Sequence, residues 1–339
     1  MSPQAIAKTS SGTGQGMESS EGHMHWTRVT TTSPDVVTDA YGQTAQRRYE
    51  QLTPGVWKVT AEVGHIGQTL VFREKVSTAT EVRVAYHLPT YACLFPLSGC
   101  AGSRFFGQEL NDTGVLTLEP GVDLWGICPA GAEVGGISLP APVLLHYAAT
   151  MHIADAKHLS NLPRILDLPA HRTLALRRFC QSVLSNLESN HASRDSAAVQ
   201  AQIEERAALL VLVAYLGRAG VRGVGRPRSS YERLTQRARD FVTSHSSDAP
   251  TLTELCEHLH VGVRTLNYAF HRSVGTSAAE YLRLIRLNNA RRDLLAAKGR
   301  HDVLVSAVAA RWGFWNASLF GRQYRRLFGE LPSATLSQR

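Results

Sequence analysis

A chain of 339 residues with 36 Lys and Arg against 28 Asp and Glu, net charge +8, is long enough for two or three domains. Its longest strongly apolar run, 207–216, is far shorter than the ~20 residues a membrane span requires, and the first residues lack a signal-peptide apolar region. A soluble cytoplasmic protein is expected, and its five cysteines (93, 100, 128, 180 and 256), without C-x-x-C or metal-ligand spacing, read as reduced, mostly buried thiols.

Residues 1–30 are rich in Ser, Gly and Thr and read as a disordered leader. From Gly55 to Pro140 the apolar pattern has a period of two. The segments VWKVTAEV, TLVFREKV, TEVRVAYHL, YACLFPL, GVLTLEP and DLWGICP are separated by Gly, Pro, Asn and Asp turns. Many short strands at such spacing predict a sandwich or small barrel, here a β-domain over 31–140. A small-molecule pocket inside it would draw on Trp57, Arg73, Tyr86, Tyr91, Phe95 and Trp125, with Arg73 suited to an anionic effector. Filling a core is the commoner use of any one such aromatic. A domain that only dimerises is a further reading.

After Pro140 the period lengthens to that of helices, expected over 141–159, 169–189 and 196–219, within a connector spanning 141–220. In the third helix Ile203, Ala207, Leu210, Val211 and Ala214 form a stripe that Leu209 and Leu212 widen. A face so broad must be covered by the sandwich or by a second subunit, and a homodimer is expected. Residues 221–230, VRGVGRPRSS, read as a flexible basic linker.

Beyond it lies nearly all the excess charge. Residues 226–339 hold 18 basic against 9 acidic side chains, net +9, whereas residues 1–225 are at −1. Phosphate attraction needs such a basic region, and Arg suits guanine edges as well. Within 231–339 one pattern occurs twice, as TLTELCEHLHVGVRTLNYAFHRSVGTS from Thr251 and VSAVAARWGFWNASLFGRQYRRLFGELP from Val305. A shift of fifty-four positions brings Leu266 onto Phe320, Phe270 onto Tyr324 and Gly275 onto Gly329. Each copy is a short helix, a tight turn and a second helix with apolar residues every fourth position, the grammar of a helix-turn-helix. Between the copies, 276–297 predicts one helix, with Tyr281, Leu284, Ile285, Leu287, Leu294 and Leu295 as apolar members. At 1.5 Å per residue it would span ~33 Å, close to one turn of B-DNA, so one chain could enter two successive major grooves.

LHVGVRTLNYAF (259–270), GTSAAEY (275–281), RLNNAR (286–291) and W-G-F-x5-F-x3-Y-x3-F-G-x2-P from Trp312 to Pro332 resemble the DNA-binding domain of AraC/XylS-type transcriptional regulators over about a hundred residues. Ala278 replaces the usual Pro, and Gly262 and Trp315 sit where a Ser cap is common. The strand order of the β-domain resembles the cupin-like domains of such regulators, those of ethanolamine operons most of all. The resemblance implies an α+β protein: a cupin-like β-sandwich or barrel, a helical connector, and an all-α domain with two helix-turn-helix motifs. It implies promoter double-stranded DNA and RNA polymerase as partners, and activation more than repression. Carried over position by position, it makes Arg264, Asn267, Tyr268, Ala317, Ser318 and Arg322 base-facing. Thr265, Trp315 and Asn316 share the exposed faces, and Arg325 and Arg326 are expected on phosphate.

Enzyme readings lack their residues. A cupin metal site needs a close His-x-His and a carboxylate, but the β-region has only the distant His65 and His87, and the His23/His25 pair lies in the leader. DNA-repair methyltransferases that carry AraC-like domains need an N-terminal cysteine cluster, and no Cys precedes Cys93. Neither enzyme activity nor a metal or cofactor is expected.

Overall fold

The computed structural model describes residues 24–152, 164–190, 194–216, 230–245, 250–300 and 302–337. Most of the expected leader and linker, and the end of the helix expected over 141–159, lie outside them. The strands in chain order are β1 (His25–Thr31), β2 (Ala45–Gln51), β3 (Val59–Ile66), β4 (Thr69–Val76), β5 (Thr80–Tyr86) and β6 (Thr90–Ser98). Then come β7 (Arg104–Phe105), β8 (Gln108–Glu109), β9 (Gly114–Leu118), β10 (Leu124–Cys128), β11 (Glu133–Pro140) and β12 (Ile165–Asp167). They form two antiparallel sheets, β1-β3-β4-β11-β6-β9-β12 and β2-β5-β10-β7-β8, with a short helix α1 (Pro34–Ala40) between the first two strands.

The first sheet is covered on both sides. On β4, Leu70 and Phe72 face the second sheet with Val59, Val63, Val84 and Leu124. Val71 points the other way, with Ile66, Phe95 and Ile137, beneath α2 (Ala141–Thr150), α3 (Ala170–Ser189) and α4 (Ala197–Leu216). Side chains of one strand alternate between faces, so two covered faces make the strand apolar throughout. Close approach of α3 relies on Gly64, where a Cβ would lie 2.6 Å from Leu187.

Two expectations change here. Strand β1 lies within the segment expected to be a leader and pairs along its whole length with β3, burying Trp26 and Val29. The broad face of α4 is covered by its own chain. Leu210, Val211, Leu212 and Tyr215 are buried against the first sheet and the neighbouring helices, and the Tyr215 hydroxyl reaches the carbonyls of Ala92 and Leu118. That face is therefore no argument for a second subunit.

The C-terminal domain comprises α5 (Ser230–Ser244), α6 (Leu252–Leu259), α7 (Val263–Ser273), α8 (Ala278–Ala296), α9 (Val305–Arg311), α10 (Ala317–Phe328) and α11 (Pro332–Ser337). It has two cores. Leu255, Leu259, Leu266, Phe270, Tyr281 and Ile285 close the first, and Leu287, Leu294, Trp312, Phe320, Tyr324 and Phe328 the second. Helix α8 contributes to both and is three residues shorter than expected, so ~28 Å long. Thr251 and Glu254 form a reciprocal capping box on α6, and Gly329, at φ 76°, closes α10.

Helices α5 and α8 and the end of α10 rest on the second sheet across a polar seam. Glu81 on β5 is buried and pairs with Arg239 of α5, with Arg83 at 3.0 Å, and with the Tyr281 hydroxyl at 3.2 Å. Burial pushes the Glu81 carboxyl up, but the Arg239 and Arg83 guanidiniums outweigh it and hold the group below its ordinary value. Arg239 also lies 3.4 Å over the Trp125 ring. Glu50 on β2 takes Arg292 of α8 at 2.6 Å. The Asn288 amide accepts from Gln51 N–H at 2.9 Å and donates to Gln51 carbonyl at 3.0 Å, so a helix side chain serves as the missing neighbour of edge strand β2. Finally, the Gln51 amide and Gly55 N–H donate to the Leu327 carbonyl at 2.7 and 3.0 Å, satisfying one acceptor that the end of α10 leaves open.

Candidate nucleic-acid interface

The recognition faces follow from which residues the cores claim. In α10, Phe320, Tyr324 and Leu327 turn inward at steps of four and three, which sends Ser318, Leu319, Arg322, Arg325 and Arg326 outward. In α7, Leu266, Ala269 and Phe270 turn inward and Arg264, Thr265, Tyr268, His271 and Arg272 are exposed. Each outward residue of one helix has its counterpart fifty-four positions away, with Arg264 matching Ser318 and Tyr268 matching Arg322. The side chains of Arg264, Arg322, Arg325 and Arg326 make no hydrogen bond or ion pair among the described residues. Four guanidiniums kept in water by neither partner nor burial suit the phosphates and guanine edges of a duplex.

The remaining candidates differ in what they leave free. Asn267 is half-buried, and its side-chain oxygen accepts the Ala278 N–H at 3.0 Å, at the start of α8. A two-point contact with adenine uses both ends of an amide, so in this geometry Asn267 has only its amino end left to offer a base. Tyr268 leans edge-on against Tyr231 at 4.8 Å and accepts from Arg272 at 3.4 Å. Asn316, not Trp315, is the cap of α10, accepting Leu319 N–H at 2.9 Å, and it is the counterpart of Gly262. Trp315 stands 86% exposed, beside the exposed Ala317 and Ser318. Leu319, 42% exposed, was not legible as a surface residue, because its apolar character reads as core.

The six effector candidates do not share one cavity. Trp57 donates to Thr80 at 3.1 Å inside the sandwich, Tyr86 packs at the edge of that core, and Trp125 lies under Arg239. Arg73 pairs with Glu62 at 2.7 Å, and Tyr91 meets Tyr215 edge-on at 5.5 Å beneath the connector helices, where Phe95 is also buried. Between the sheets Glu74 accepts from Tyr41 and Tyr49 at 2.8 and 2.9 Å, and Arg47 stacks 3.3 Å over Tyr41. The cavity beside them measures about 20 Å³, room for about one water. A larger cleft of about 720 Å³ opens between the second sheet and α5, lined by Arg48, Arg83, Trp125, Gln236, Asp240 and Thr243 among others. Among the described residues no group of three or more His, Cys, Asp and Glu could hold a metal ion. His25 instead stacks on His65 at 4.0 Å, and burial brings its imidazole down to about 4. No described helix is long and apolar enough to cross a membrane.

A helix-turn-helix domain family matches residues 255–338. The chain is similar to the probable thc operon regulatory protein of Rhodococcus erythropolis, 32% identical over 32% of this chain and 33% of that one. It is 36% identical to the regulatory protein HrpB of Ralstonia nicotianae over 25% of this chain and 18% of that one. The XylDLEGF operon transcriptional activator 3 of Pseudomonas putida is 31% identical over 32% of each chain. The matched stretch thus spans a third or less of each relative. Among solved structures, the AraC-like transcriptional activator CuxR covers 83% of this chain and 98% of its own at 14% identity, with a TM-score of 0.39, too loose to carry an argument. Twin motifs packed on one shared helix, outward arginines and matches to regulatory proteins lead to one conclusion: the C-terminal region is a DNA-binding domain with two helix-turn-helix motifs, similar to those of AraC/XylS-type regulators.

Proposed function

We propose that the whole protein is a sequence-specific transcription regulator that works in the cytoplasm, binds promoter DNA through α7 and α10, and activates transcription with RNA polymerase as its partner. The observation that carries this is the set of unpaired arginines on the outward faces of two equivalent helices. Arg264 and Arg322 are assigned to guanine edges, Thr265, Tyr268, Ala317 and Ser318 to neighbouring bases, and Arg325 and Arg326 to phosphates. Nothing in this role calls for catalysis. The β-domain is the regulatory half: the seam couples it to both motifs, and a small-molecule effector would enter the cleft bordered by Trp125 rather than the filled sandwich interior. A homodimer would present four recognition helices to paired sites.

The test is selection of bound sequences from random duplexes by the full chain, followed by affinity measurements across salt. One enriched sequence motif, with affinity falling steeply as salt rises, is expected. Retention of duplexes without any enriched motif sinks the proposal.

A further inference from the structure

The two recognition helices differ most at the end that enters the groove first. A recognition helix contacts bases mainly through its N-terminal residues. In α7 that end offers Arg264 and Thr265, while the equivalent positions of α10 are Ser318 and Leu319. Asn316, the amide closest to the start of α10, gives its side-chain oxygen to the cap. What remains is Trp315 at 86% exposure, Ala317, the small hydroxyl of Ser318, and Leu319 at 42%, with no charged side chain until Arg322. A tryptophan left in water is unusual, since aromatic rings of this size are mostly buried. Trp315 lies three residues before Ser318 and outside the second core, so its exposure serves no packing within the domain.

In the major groove only thymine presents an apolar group, its C5-methyl; the other bases present donors and acceptors alone. Resting on the proposed function above, we infer that Trp315 and Leu319 make the second motif a reader of thymine methyls, next to the guanine taken by Arg322. From Leu319 to Arg322 the helix rises ~4.5 Å, so the thymine met by Leu319 falls within about two base pairs of that guanine, and the one met by Trp315 lies further out on the same side. The first motif, with Arg264 and Thr265 at the equivalent positions, reads hydrogen-bonding edges instead. One operator therefore has two chemically unlike halves.

Deoxyuridine tests this on the DNA side, because it pairs as thymine does but lacks the methyl. The full chain is titrated with its selected operator and with versions carrying deoxyuridine in one half or the other. Loss of each methyl in the second half should weaken binding about three- to fivefold, the worth of one buried methylene, with much less effect in the first half. Trp315→Ala, at a side chain no core uses, should weaken the thymine operator and bring its affinity close to that of the deoxyuridine version. Leu319→Ala should shrink the difference in part. Wild-type affinity unchanged by deoxyuridine, or an undiminished difference in Trp315→Ala, overturns the inference. If Arg322→Ala still weakens the operator, only apolar readout has failed; if Arg322→Ala is equally silent, the DNA-binding role of α10 fails with it.

Discussion

The two helix-turn-helix copies share one backbone plan and have opposite commitments. The first is tied to the β-domain by side chains: Arg239 and Tyr281, both in its core region, meet Glu81, and Arg104 of β7 donates to the Arg272 carbonyl at the end of α7. Two residues of its recognition helix already have partners, Asn267 at the start of α8 and Tyr268 on Tyr231. The second copy is held mainly at its far end, through the Leu327 carbonyl, and its recognition helix keeps Arg322, Arg325 and Arg326 unpaired. Equal folds thus have unequal surroundings, the first motif fastened to the β-domain and the second standing largely clear of it.

The hold on the first copy is the largest effect to test. Glu81→Ala leaves Arg239 and Arg83 without their buried carboxylate, and breaking such a pair costs about 3–5 kcal/mol. Denaturant unfolding of the full chain should show a loss of that order, and a change below about 0.5 kcal/mol would mean the pair does not hold the seam. For the second copy, Arg322→Ala should weaken the preferred operator by about 1–3 kcal/mol while leaving random DNA nearly unaffected. Equal weakening on both sequences would move Arg322 to the phosphate class.

Smaller effects separate the roles further. Asn267→Ala should cost about 1 kcal/mol of stability, as loss of a helix cap does, with base preference unchanged. A relaxed preference at one base pair would restore it as a reader. Arg325→Ala should reduce affinity for all duplexes and lower the slope of log affinity against log salt by about one.

Acid supplies the last contrast. The Glu81 carboxyl is held below its ordinary value of 4.5, so its contribution is complete above that pH and is lost as pH falls through the lowered value. The stability difference between wild type and Glu81→Gln should therefore be constant above about pH 5 and shrink below it. A difference that persists unchanged into strong acid would place the effect in shape rather than charge.

Much of this was legible in the sequence. Apolar steps of three and four fix the cores of both motifs, and Leu266, Phe270, Phe320 and Tyr324 lie where that period puts them. Strands β3 to β6, β9 and β10 followed from alternation and turn residues. Strand β1 did not, because HWTRVTT adjoins a polar segment and becomes a strand only by pairing with β3. The seam was invisible for a related reason. Glu81, Gln51 and Asn288 look like solvated positions one at a time, and their burial depends on contacts across two hundred residues. The one available hint was two adjacent asparagines in the interior of α8, a poor place for residues that compete for backbone hydrogen bonds. The scatter of the six effector candidates has the same cause: strand alternation says that faces differ, but not which face a helix covers.

Two equivalent recognition helices on one chain, α7 and α10, are expected to enter successive major grooves on one side of a duplex. Base-by-base interference footprinting of the full chain on its selected operator tests this directly. Two contacted major-groove segments per chain are expected, centred about ten base pairs apart on the same face, with Arg322→Ala erasing contacts in one segment only. A single contacted segment, or two on opposite faces of the duplex, would contradict the account.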